Sequence, residues 1–130
     1  MNACSEDIKD MLIDDSTLGL AFPTNLFIGH EQASPDNCVT IYDTPSFSAE
    51  TTLDEQRIYN SSFQIRVRHL SYVTGMTLAR NIMDYLHDRA QESWNSTLYT
   101  SIKATGEPAQ MALDGNMRAI IIINFTTKRR

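Results

Sequence analysis

The chain has 130 residues, 42% hydrophobic and 21% charged, with a net charge of −5, which is the size and make-up of one globular domain with room for one core. Cys4 and Cys38 stand far apart with no CxxC pair, so neither a zinc site nor a disulfide framework is indicated, and a reduced, intracellular setting fits. The longest purely apolar run, Ala119 to Ile123, is far short of the roughly 20 residues of a membrane span, and the acidic N-terminus lacks a signal peptide's basic region.

Charge is unevenly distributed along the chain. Residues 1–55 hold 11 acidic residues against one base, Lys9, a net −10, whereas residues 56–130 hold 10 basic and 5 acidic residues, a net +5. Such a split either neutralises itself within the fold or sets an acidic face against a basic one, favouring association. A pI near 5.0 argues against a general nucleic-acid binder.

The first element in chain order is a helix beginning near Ser5, where Ser5 supplies a cap, Glu6 and Asp7 suit the helix dipole, and Ile8, Met11 and Leu12 form an apolar stripe. Two short strands follow, Leu26 to Gly29 and Cys38 to Tyr42, separated by the turn cluster Ser34-Pro35-Asp36-Asn37. The stretch from 43 to 57 is polar and without a period, so it is expected as the longest loop, with Phe47 and Leu53 as apolar handles for a partner.

From Ile58 to His69 the alternation of Phe63, Ile65 and Val67 with Gln64, Arg66 and Arg68 predicts a strand with one core face and one solvated or partner-binding basic face. A second helix is expected from Ser71 to Ala90, carried by Val73, Met76, Ala79, Ile82, Met83, Leu86 and Ala90. Gly75 inside it costs about 1 kcal/mol relative to alanine, which predicts close packing of that face on the sheet. Trp94 reads as a core lid where helix gives way to strand.

Thr97 to Ala104 and Met117 to Thr126 read as further strands, with Ala109 to Leu113 pairing nearby and Asp114-Gly115 supplying a hairpin turn. The run Ile120 to Ile123 points to both faces of its strand, so both need cover, from a second layer or from a neighbouring subunit. The basic tail Lys128-Arg129-Arg130 is expected to be frayed or a docking point.

Catalytic signatures are missing: there is no GxSxG, Walker A or GxGxxG motif, and His30, His69 and His87 lack the spacing of a metal site. Paired acids such as Asp14-Asp15 and Asp54-Glu55 read as solvated faces. The chain is therefore expected not to be an enzyme and to need no cofactor or metal. Three glycosylation sequons, beginning at Asn60, Asn95 and Asn124, read as chance matches.

This order of elements resembles the tail terminator or minor capsid proteins at the head-to-tail junction of long-tailed bacteriophages. The likeness rests on Asp7-Ile8-Lys9-Asp10-Met11-Leu12, on Leu26-Phe27-Ile28-Gly29 with the following Pro35 to Thr44, on Phe63 to Arg68, on the second helix, and on Trp94-Asn95 with Tyr99 to Ile102. It implies an α+β fold over 1–130, a mixed and mainly antiparallel sheet packed on one side by two α-helices, and copies joined into a ring, commonly of six. Such a ring caps the tail tube, stops its polymerisation, docks to head-completion or stopper proteins, and leaves a channel for DNA.

The resemblance places the protein in the virion, made in the host bacterial cytoplasm, with no membrane role. An acidic channel wall would let DNA slide without sticking. Candidate interface residues are Phe47 and Leu53 of the loop, Arg66 and Arg68 of the basic stripe, and Ile121 and Ile123 of the isoleucine strand. The competing readings are another neck component, such as a head-completion or stopper protein, and a small ligand-binding domain.

Overall fold

Alternating apolar residues in four central strands give the chain one continuous greasy sheet face, and its two helices lie across that face. The computed structural model describes all residues from Met1 to Arg130. In chain order the elements are α1 (Cys4–Asp14), a 3-10 turn (Ser16–Leu18), β1 (Leu26–Ile28), β2 (Cys38–Thr44), β3 (Glu50–Thr51) and β4 (Arg57–His69). Then come α2 (Tyr72–Leu86), β5 (Glu92–Trp94), β6 (Thr97–Ala104), β7 (Ala109–Leu113) and β8 (Ala119–Arg129).

The sheet runs β1-β2-β4-β8-β6-β5, with β3 also paired to β4 and β7 also paired to β8. Only β1 and β2 are parallel; every other ladder is antiparallel. The fold is thus α+β with a mainly antiparallel sheet and two helices on one side, as the family resemblance implies.

Register explains why the core closes. Phe63 lies opposite Phe125, Ile65 opposite Ile123 and Val67 opposite Ile121, while Val39 and Ile41 continue the same rows on β2. Residues paired across a sheet share a face, so all eight point at the helices. The Phe63 and Phe125 rings stack with centroids 4.8 Å apart. Cys4, Ile8, Met11 and Leu12 of α1 and Ala79, Ile82 and Leu86 of α2 complete a cluster of 20 buried residues.

At Gly75 helix α2 lies close against the sheet. A Cβ there would lie 2.8 Å from the His69 Cβ and 3.1 Å from the Ile121 Cδ1, so the predicted close approach is present and admits no side chain.

Several expectations need correction. Helix α1 starts at Cys4 and not at a Ser5 cap: Ser5 sits in the first turn and donates its N–H (2.9 Å) and hydroxyl (2.7 Å) to Asp43 of β2. Helix α2 stops at Leu86, four residues before Ala90, because the Ile102 carbonyl accepts the Asp88 N–H and His87 Nδ1 accepts the Ala104 N–H, turning the chain into the sheet. Val73, placed in the core stripe by its spacing, is 71% exposed at the first turn of α2, beyond the sheet's cover.

Trp94 belongs to a strand, β5, that the sequence reading did not anticipate, and Asn95 and Ser96, both at positive φ, make its two-residue turn into β6. The presumed long loop is partly ordered: β2 continues to Thr44, and β3 forms a hairpin with the start of β4. The basic tail is no frayed end, since β8 runs to Arg129 and Arg130 exchanges backbone hydrogen bonds with Leu98.

Candidate assembly surfaces

The isoleucine run is divided between two environments. Ile121 and Ile123 are buried in the helix-side core, 0% and 1% exposed, so neither reaches a neighbouring molecule in this conformation. On the opposite face Ile120 is also buried, and Ile122 is half-buried. Cover for that face comes from within the chain, from residues 31–37.

Two arginines hold that segment down. Arg68, paired across the ladders with Cys38 and Ile120, donates to the Pro35 carbonyl at 2.6 Å and the Asp36 carbonyl at 3.2 Å. Arg118 donates to the Ala33 carbonyl at 3.0 Å and meets Asp36 (3.2 Å) and Asp114 (2.7 Å). Glu31 reaches both Arg66 (3.4 Å) and Arg68 (3.5 Å), and burial beside this carboxylate pushes the Tyr42 hydroxyl pKa up. Arg68 is therefore a buried strut, while Arg66 keeps a partly exposed side chain. The alternation correctly put both on the face away from the helices; the segment that covers them is a tertiary feature.

Phe47 and Leu53 belong to an arm, residues 45–56, at the far end of β4. Thr52 and Gln56 close the β3–β4 hairpin through the Thr52 N–H to the Gln56 carbonyl, and Asn60 holds the Ser48 carbonyl at 2.9 Å. Phe47 is 80% exposed and Leu53 fully exposed at the hairpin tip. Beside Phe47 lies a concavity of about 320 Å³ lined by Asn60, Ser62, Ser101, Lys103, Thr126 and Lys128. Its polar lining is made of hydroxyls, one amide and two lysines.

A buried polar knot ties α1 to the sheet. Asp7, wholly buried, accepts from the Tyr99 hydroxyl at 2.5 Å and from Asn95 at 2.8 Å, with the Arg129 guanidinium 3.8 Å away. Arg129 also donates to the Asn2 carbonyl and to Ser61. Burial, Cys4 and the Asp7 carboxylate all push the Tyr99 pKa far above its usual value, and burial raises the Cys4 thiol to about 12. These groups are protonated at neutral pH, which suits a structural strut and not a nucleophile.

Sequence reasoning missed the other exposed apolar region, at the end of the sheet opposite the arm. It comprises Leu70, Tyr72 and Val73 at the start of α2, Met111 and Leu113 of β7, and Met117 in the β7–β8 turn. The available signal was the uncharged segment Ala109 to Leu113, which carries none of the charges that usually guard an edge strand.

Comparison with known proteins agrees with the fold. One chain of a solved "Virion of native gene transfer agent (GTA) particle" superimposes with a TM-score of 0.66 at 10% identity, covering 98% of this chain and 94% of that one. A second solved structure gives a TM-score of 0.59 at 10% identity, over 98% of this chain and 97% of its own. No curated protein matches at the sequence level. The sequence does match a family described as "Bacteriophage tail terminator protein" over residues 6–130, which takes in α2, every strand and all of α1 but its first two residues. The chain belongs to the bacteriophage tail terminator family, whose members are structural proteins of the phage tail.

Proposed function

We propose that this protein forms a ring at the head-to-tail junction of a phage particle, caps the tail tube, stops its polymerisation and docks to the head-completion proteins. The observation that carries this reading is the family match from residue 6 to residue 130. Likeness in fold to a chain of a gene transfer agent virion accords with it.

The surface accords with it too. Leu53, at the tip of the β3–β4 hairpin, and Phe47, in the segment leading to it, are the side chains offered to a neighbouring copy or to the tube, with Arg66 partly accessible on the outer face. Arg68, Ile121 and Ile123 act from behind, by holding the 31–37 segment and the core that shape this surface. A net charge of −5 suits a channel wall that repels DNA phosphates, so that the genome slides through without sticking. Acidic side chains confined to the outer rim of the assembled ring would remove that part of the reading.

The test is native mass by light scattering over a concentration series, with and without purified tail tubes, combined with tube length by electron microscopy. A closed ring that binds tube ends and halts their growth is expected. A monomer that leaves tube growth unchanged overturns the proposal.

A further inference from the structure

We infer that the contact between neighbouring copies is head-to-tail: the 45–56 arm of one copy lies along the free edge of β7 and the apolar corner beside it on the next. This inference rests on the ring reading above and specifies which surfaces make it.

The receiving surface is defined by register. Leu113 of β7 lies opposite Ala119 of β8, which lies opposite His69 of β4, so Leu70, Tyr72 and Val73 follow at the same end of the sheet. With Met111 and Met117 they make up six of the protein's eleven exposed large apolar side chains, each 48% to 71% exposed. Side chains of this size at such exposure amount to several hundred Å², the order of the roughly 800 Å² that one partner gives to a stable interface.

β7 itself is exposed along all five residues and pairs only with β8. Its outer N–H and C=O groups are therefore free to accept another strand, and no charge protects them from Ala109 to Leu113. Its single irregularity is the bulge between Gln110 and Ala112.

The occupant is argued from the other end of the molecule. Residues 45–49 belong to no ladder, and Phe47 is 80% exposed and Leu53 fully exposed. The arm joins the first residues of β4, whereas the apolar corner follows its last, and the strand is 13 residues long. At about 3.3 Å per residue that separates them by roughly 40 Å, so a copy cannot cover its own corner. Two different patches meeting in this way repeat around a circle when the rotation closes.

Single variants Leu53→Cys and Met117→Cys test this by cross-linking with a short bismaleimide, in samples held with tube ends. Native Cys4 and Cys38 are each 3% exposed and stay out of the reaction. The mixture of the two variants should give covalent dimers while either alone gives none. The double variant Leu53→Cys/Met117→Cys should give a ladder ending at the ring size. Met111→Lys, on an exposed strand, should reduce the native mass to that of a monomer with an unchanged melting temperature.

Dimers from Met117→Cys alone would mean that like patches meet, overturning the head-to-tail contact. A sample with the mass of a ring that shows no cross-link and tolerates Met111→Lys overturns this contact while the ring reading stands. A wild-type protein that remains monomeric even on tube ends removes both.

Discussion

A single missing side chain sets how close α2 comes to the sheet. At Gly75 an added methyl would gain about 1 kcal/mol of helix propensity, but it would collide with the His69 Cβ at 2.8 Å, whose backbone is fixed in β4. Overpacking of this kind costs about 1–3 kcal/mol, so Gly75→Ala should be destabilising on balance, read as a lower urea midpoint at unchanged m-value. Cys4 makes a second residue-scale case. Its thiol, 3% exposed and raised to about 12, should resist maleimide or iodoacetamide at pH 8 and react fully in denaturant, as followed by mass spectrometry. Rapid labelling of the folded protein at Cys4 would mean that the knot around Asp7, Tyr99 and Arg129 opens easily.

At the scale of elements, ends are fixed by partners distant in sequence. Helix α1 has alanine at its N-cap, so its first turn depends on Asp43, 38 residues away, which accepts the Ser5 N–H and hydroxyl. Asp43→Ala should cost about 1 kcal/mol, comparable with loss of a local cap, measured by chemical denaturation. The β7–β8 turn depends on Asp114. Desolvation pushes its carboxyl up, but hydrogen bonds from the Arg118 and Asn116 N–H groups and the Arg118 guanidinium outweigh this and hold its pKa below the ordinary 3.8.

Since the folded value is the lower one, the carboxylate adds stability at pH above 3.8 and loses it as pH falls through the folded value. The stability difference between wild type and Asp114→Asn should therefore be present at neutral pH and vanish under strongly acidic conditions. A gap in melting temperature that persists there would assign the effect to shape and not to charge.

For the molecule as a whole, exposed apolar side chains stand at both ends of the long central strand β4, Phe47 and Leu53 at one and the α2 start with β7 at the other. Removing the arm's handles with Phe47→Ser/Leu53→Ser should leave stability within about 0.5 kcal/mol of wild type, as exposed substitutions do, while preventing association and tube capping. A variant that assembles and caps normally would show that the arm points away from the contact. By contrast, Ile121→Ala and Ile123→Ala should each cost about 2–5 kcal/mol, because they cavitate the core, and any loss of assembly they cause would track loss of folding.

The sequence by itself determined the two helices, the alternating face of β4 and the place of the turn after β7, because each is written in local periodicity or turn residues, while the fold class followed from the family resemblance. It also carried the family likeness, which depends on the order of those elements. Phe47 and Leu53 were legible as exposed handles because they are apolar residues in an aperiodic polar stretch. Only the tertiary structure decided the rest. Nothing local says that Asp43 caps α1, that residues 31–37 cover Ile120 and bury Arg68, or that Val73 lies beyond the sheet. Those outcomes depend on which side chains the strand register brings together, and register is a property of pairs far apart in the chain.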